Sequence, residues 1–572
     1  MDSGSELEVE TPQLLGRRQI LTEFLEESPY DFITYLERAT CHSELGYPDL
    51  AAGDAYRALL LIDEVRDEGF EYHYRALEAL ESRCEGRVPA ILPELRAGDI
   101  TKTMKALSLN NIAQDSALSE ILDRASLQCY RCLSTSLLLC GCLKSSYGFC
   151  LRGLGIVPED EDLLFKKEHI RSVARRKLSL KDDEIDINDL KDQGLVRREI
   201  YPWNEHEPDR FSQETLDFLN TELRAVASKC EVRVTELPTL YEVNGIGAIV
   251  GATNKQLGLF ADTDITSGET ILDEYSALTA NNRLKESLCD SCSGVLPPLD
   301  ANTTVVGCPD CDDTMFCNEL CLERSADYHP AVCDKDIDTI AKDPDPKETP
   351  NALYLLLLAR ALAMAETKEV HPLELKEVKY IWGDFLPSAA NAVPVGPDTP
   401  SPPVWTLPFS FASNISGPLH VLEKMDIDIF ASVERYDLWI FNSLYAKFRG
   451  TASARVNLRD GRPEVAAVHP LWCLANHDCN PNVQWEWAGQ MRLWCREKRC
   501  DGTKGGIKEG QEILNHYCDI ELKVQDRREW AKGSLGGWCM CERCKREAQE
   551  EATNGIHAEE HKRETIKASL DG

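Results

Sequence analysis

The sequence predicts a multidomain α+β protein: an α-helical N-terminal region, a β-rich domain split by a zinc-binding module and a helical insert, and a cysteine-rich closing segment. Three observations carry that expectation. Residues 13 to about 165 read as helices, with small alanines at helical spacing. From about Tyr241 the pattern turns to short β-rich runs punctuated by glycines. Cysteines then cluster twice, in residues 289–333 and 539–544. A chain of 572 residues also exceeds the roughly 250–300 at which a single core stops growing.

In the helical region, residues 35–63 set Leu45, Gly46 and Tyr47 near a turn and Ala51, Ala55 and Ala58 along the next helix. Small side chains in that pattern let two antiparallel helices approach closely. Residues 127–158 form a second partial copy, with Pro158 stopping its second helix. The pair resembles tetratricopeptide units, and an ordinary helical bundle is the alternative. Either serves partner binding or support of the second half rather than chemistry. The charged run of residues 166–193 is expected to be a solvated helix face or linker, and residues 212–229 one more amphipathic helix.

Residues 289–333 supply Cys289, Cys292, Cys308, Cys311, Cys317, Cys321, His329 and Cys333. Seven thiols and one imidazole make eight ligands, enough for two closed tetrahedral zinc sites. So small a module cannot bury a core of its own, so metal binding must supply its folding free energy. Spacing alone does not say which ligands share an ion. Downstream, residues 351–365 form an apolar helix too short to cross a bilayer, residues 387–408 a proline-rich loop, and residues 419–448 further helices.

The charge balance is 63 − 97 = −34. That disfavours nucleic acid as a partner, because phosphate binding needs clustered Lys and Arg, and it suits a basic protein or peptide better. The N-terminus shows no secretory pattern and no membrane-length apolar run is present, so a nuclear or cytoplasmic location is expected. The 23 cysteines then read as metal ligands and buried free thiols rather than a disulfide framework.

Three ordered pieces carry the functional reading: NHDCNPN at residues 476–482, GQEILNHYCD at 510–519 and CMCERC at 539–544. They resemble the signature of SET-domain protein lysine methyltransferases, NHxCxPN, GEEIxxxYxD and CxCxxC. Residues 255–279 resemble the first part of that domain, with Gly258, Leu259, Phe260 and Ala261 matching GxGLFA and Gln256 standing at the place of its first glycine. A plain β-hairpin turning at Thr266, Ser267 and Gly268 is the bland alternative for that stretch. Residues 289–333 resemble a MYND zinc finger, and a MYND module inside a split SET domain is the SMYD arrangement.

The implied domains are a helical TPR-like region (1–165), a charged linker and helix (166–240), a first SET part (241–288), the MYND finger (289–333), a helical SET insert (334–454), the SET core (455–520), a post-SET zinc segment (521–548) and a charged tail (549–572). The implied activity is methyl transfer from S-adenosylmethionine to a neutral lysine amine of a histone or other protein. The alternative is a SET–MYND scaffold with weak or no turnover, which Gln256 favours.

Carried over from the resemblance, Gly258, Leu259, Asn476, His477, Tyr517 and Trp538 meet the cofactor, and Tyr517 is the catalytic residue. Asn482 holds the threaded segment together. The resemblance pairs Cys289, Cys292, Cys317 and Cys321 on one zinc and Cys308, Cys311, His329 and Cys333 on another. Cys539, Cys541 and Cys544 bind a third zinc, with Cys479 as the fourth ligand; on arithmetic alone Cys473 or Cys518 could take that place. MYND modules bind proline-rich peptides, which adds one possible partner.

Overall fold

The computed structural model describes residues 3–84, 114–178, 186, 189–190, 192–238, 240, 253–283, 288–299, 303–311, 313–342, 344, 349–382, 406–535, 537–551 and 553. The chain is a mixed α and β protein in two units. One comprises Met1–Arg198, Lys335–Ile340 and Pro394–Leu444, and the other Glu199–Asp334, Ala341–Val393 and Tyr445–Gly572. The stretch expected as one helical insert, 334–454, is thus divided between them. Most of the proline-rich run (387–405), the opening of the first SET part (241–252) and the tail from 554 lie outside the described residues.

In the first unit, helices Phe32–Glu44 and Pro48–Arg66 form a hairpin. Asp31 caps the first by accepting from the Ile33 and Thr34 amides. Gly46 makes the turn at φ +80°, a left-handed conformation that glycine adopts without steric cost. Ala51, Ala55 and Ala58 are fully buried where the helices meet. Helices Gln114–Cys140 and Leu143–Ile156 repeat the device around Gly141 at φ +89°. Of the charged run expected as a solvated helix face or linker, residues 166–178 lie within helix Glu161–Leu178, and most of the rest lies outside the described residues. A buried ionic cluster lies under the first hairpin: Arg38 bonds Asp54 (2.6 Å) and Asp437 (3.2 Å), and Arg57 bonds Asp437 (3.1 Å).

The second unit carries antiparallel sheets. Strand Pro463–Val468 lies between Leu278–Asn281 and Ser453–Val456, strand Gln490–Cys495 between Val483–Trp487 and Thr270–Tyr275, and Cys230–Pro238 pairs with Thr253–Ala261. The apolar helix Thr349–Thr367 packs on the first sheet with Leu357, Leu358 and Leu362 fully buried. Among the described residues no helix is long and apolar enough to cross a membrane. The hairpin alternative for residues 255–279 fails, because Thr253–Ala261 and Thr270–Tyr275 pair with different strands. The main core of this unit runs from Leu257 and Leu259 through Leu471, Trp472, Ala475 and Val483 to Ile513, and so lies beneath the predicted site.

Candidate functional site

Residues 511–515 are held on two sides. On one, the Ala261 amide donates to the Gln511 carbonyl (2.9 Å) and the Ile513 amide to the Leu259 carbonyl (2.8 Å). On the other, His477 bridges Asn515 in parallel fashion, with Asn515 N–H to Asn476 O and Asp478 N–H to Asn515 O both at 2.8 Å. Asn482, 2% exposed, closes this seam. Its Nδ2 donates to the Glu512 carbonyl and its Oδ1 accepts from the Leu514 amide, each at 2.8 Å. An amide buried this deeply needs both partners, since an unmade bond costs about 1–3 kcal/mol. The lead-in is fixed by Glu274, whose carboxylate accepts from the Leu471 (3.1 Å) and Trp472 (2.7 Å) amides. Burial pushes that carboxyl up to about 7.

Gly258, Asn476 and Glu512 meet at one corner. Asn476 Nδ2 donates to the Leu257 carbonyl (3.0 Å) and to Glu512 Oε1 (2.7 Å). With both N–H bonds committed, Oδ1 is left as an acceptor for a donor on a ligand. Gly258 has no room for a side chain, because a Cβ would stand 2.6 Å from Glu512 Oε1 and 3.0 Å from Asn476 Nδ2. Leu259 is buried beside it and is in register with Val232. Gln256 lies opposite Thr235 in the same regular ladder and is not among the positive-φ residues. Its backbone therefore has no need of glycine.

Tyr517 is pinned at both ends. Its hydroxyl donates to the Ala475 carbonyl and its amide to His477 Nδ1, both at 3.0 Å. The His477 and Tyr517 rings lie 5.2 Å apart between centroids. The other nitrogen of His477, Nε2, is 3.3 Å from Cys479 Sγ. The neighbouring Cys518 and Cys539 sulfurs hold Cys479 well below the usual thiol range.

The residues expected to ligate metal converge in three groups: Cys289, Cys292, Cys317 and Cys321; Cys308, Cys311, His329 and Cys333; and Cys479, Cys539, Cys541 and Cys544. Within each group the ligand atoms lie within 4.8 Å of one another. Separations such as Cys292–Cys317 at 3.9 Å and Cys479–Cys544 at 3.4 Å fit the roughly 3.8 Å edge of a tetrahedron with zinc–sulfur bonds of about 2.3 Å. A four-thiolate or three-thiolate, one-imidazole shell is complete, so these groups suit structural zinc. Cys473 is outside the third group, with its thiol directed at the Pro470 carbonyl (3.1 Å). Cys518 joins His477 and Cys479 in a further cluster.

Sequence reading missed the support around these groups. Arg527 is fully buried, with Nη2 3.6 Å from Cys544 Sγ and an ion pair to Glu547. Arg543 donates to the Cys479 carbonyl (2.7 Å) and Arg528 to the Cys539 carbonyl (3.1 Å). Four thiolates around a dication would leave two negative charges, and guanidinium groups this close would lower that cost. Nothing in residue spacing marks them: Arg527 and Arg528 lie ahead of the cysteines and Arg543 between Cys541 and Cys544. Trp538 is 50% exposed; its indole N–H donates to Glu529 (3.1 Å) and Arg528 lies over its ring at 5.7 Å.

No protein-family model matches the chain. A stretch of 103 residues is 33% identical to a curated protein of Yarrowia lipolytica named histone-lysine N-methyltransferase SET5, covering 18% of this chain. The chain spans about a fifth (21%) of the length of that relative.

Proposed function

We propose that the chain is an S-adenosylmethionine-dependent protein lysine N-methyltransferase of the SET type, with an inserted MYND-type module and a TPR-like helical region. The observation that carries this is the seam of residues 476–482 against 511–517, which brings Asn476, His477 and Tyr517 together under one set of hydrogen bonds. The partial likeness to a protein named as a histone-lysine N-methyltransferase supports it.

S-adenosylmethionine, when bound, supplies a methyl group on a sulfonium, a leaving group that needs neither metal nor strong acid. Asn476 Oδ1 is free to accept from its α-ammonium, while Gly258 and Leu259 give a close backbone wall. Tyr517, held by Ala475 and His477, orients the reacting groups, and the gain is alignment of donor and acceptor out of water. On this reading the three cysteine-rich groups each hold a structural zinc, the substrate is a lysine on a histone or another nuclear or cytoplasmic protein, and the MYND-type module is free to take a proline-rich peptide.

The test is transfer of tritiated methyl onto a protein or peptide array, with Tyr517→Phe as control. Equal labelling by the variant would remove Tyr517 from its role. The alternative is a scaffold without turnover, and calorimetry separates the two: no S-adenosylmethionine binding at millimolar concentration favours the scaffold.

A further inference from the structure

His477 stands between two things the site needs, the backbone of Tyr517 and the sulfur of Cys479. Its Nδ1 accepts the Tyr517 amide proton at 3.0 Å. A backbone N–H can only donate, so Nδ1 must offer its lone pair, and a neutral imidazole then carries its proton on Nε2. That proton faces Cys479 Sγ at 3.3 Å, an N–H···S distance to a sulfur that also lies 3.9 Å from Cys539 Sγ and 3.4 Å from Cys544 Sγ.

The same proton decides the cluster of His477, Cys479 and Cys518. For His477 to ligate an ion there through Nε2 it would have to give up that proton, becoming an imidazolate, or move it to Nδ1 and oppose the Tyr517 N–H. Neither fits the geometry, so His477 is not a metal ligand. It is a donor to a ligand, the outer-shell relation that fixes and tunes metal-bound groups.

We infer that the His477 side chain is a positioning residue, linking the Cys479 thiolate of the C-terminal metal group to the Tyr517 backbone, so that the metal group sets where the tyrosine stands. Two further contacts make the link stiff. The ladder on either side of His477 leaves its backbone little freedom, and the Tyr517 hydroxyl is tied to Ala475, two residues before His477. A shift of Cys479 is therefore passed through one ring to the amide of Tyr517. This role rests on the methyltransferase reading for its catalytic consequence but not for its geometry.

Two half-replacements separate the ring's functions. His477→Asn keeps an acceptor where Nδ1 stands and loses the donor to Cys479, whereas His477→Gln reaches as far as Nε2 and loses the acceptor for Tyr517. The full-length holo-protein with cadmium in its cysteine groups is examined by cadmium-113 NMR, and ring-nitrogen-labelled protein by long-range proton–nitrogen correlation. The wild type is expected to show protonated Nε2 and bare Nδ1. His477→Asn should shift one cadmium resonance, and His477→Gln should leave it in place. In methyl transfer both variants should lose about 10- to 100-fold in kcat. A proton on Nδ1, or an unmoved cadmium spectrum in His477→Asn, overturns the link. If the wild type transfers no methyl group to any probe, the enzymatic reading fails, while the spectra still decide the inference.

Discussion

Replacing Gly258 with alanine tests the corner where glycine, asparagine and glutamate meet. The new Cβ would lie 2.6 Å from Glu512 Oε1, 3.0 Å from Asn476 Nδ2 and 3.2 Å from Phe260 Cε2. Comfortable contact begins at about 3.5 Å, so the carboxylate must retreat by close to an ångström. Such a move is easy for the end of a side chain, but this one is bonded to Asn476 at 2.7 Å. A hydrogen bond to a charged group contributes about 1.5–3 kcal/mol; Glu512 is only partly buried, which lowers its share to about 1 kcal/mol. Overpacking adds about 1–2 kcal/mol. The expected loss is therefore about 2–3 kcal/mol, a fall in Tm of roughly 4–12 °C, with S-adenosylmethionine binding about tenfold weaker by calorimetry.

A double-mutant cycle isolates the cause. Glu512→Ala removes the clashing oxygen, so alanine at position 258 should cost at least about 1 kcal/mol less on that background. Costs that add to within about 0.5 kcal/mol would refute the steric argument.

Four other outcomes follow from the geometry. Tyr517→Phe loses the bond to the Ala475 carbonyl and should lower methyl transfer about 100-fold with little change in Tm, read by tritium incorporation and thermal melts. Cys539→Ser should release one zinc per chain, counted by colorimetric chelation after denaturation, and should leave the other two cysteine-rich groups loaded. Asp437→Ala strips Arg57 and part of Arg38 of their buried partner and should destabilise the helical unit by about 3–5 kcal/mol in urea melts.

Glu274 has the opposite sign to an ordinary salt-bridged carboxylate. Its folded value is raised to about 7 from 4.5, so the folded state holds the proton more tightly. Stability is fullest below pH about 4.5 and is lost as pH rises to about 7, by at most about 3 kcal/mol. Urea melts of wild type and Glu274→Gln should differ in favour of wild type more at pH about 5 than at pH about 8. A difference independent of pH would show that Glu274 does not titrate there.

Much of this molecule was legible in the chain itself because the relevant physics is local. Apolar periodicity and small residues marked the helices around Ala51 and Ala55, and a left-handed turn required Gly46. Close thiol pairs such as Cys289 with Cys292 can chelate one ion whatever surrounds them, whereas the place of Asn482 in the seam came only from the family resemblance. What escaped was mostly long-range. Residues 406–444 group with the N-terminal helices, and the two strands of an apparent hairpin pair elsewhere. Sequence separation does not reveal which surfaces meet.

By itself, then, the sequence determined the ligand types, the polar segment and the tyrosine, since side-chain chemistry travels with the residue. Tertiary structure alone decided that Glu512 commits the Asn476 amide and that the His477 ring lies between Cys479 and Tyr517. A hydrogen bond or coordination shell is set by distances of about 2–3 Å between atoms, and only the packing of distant elements brings such atoms within reach.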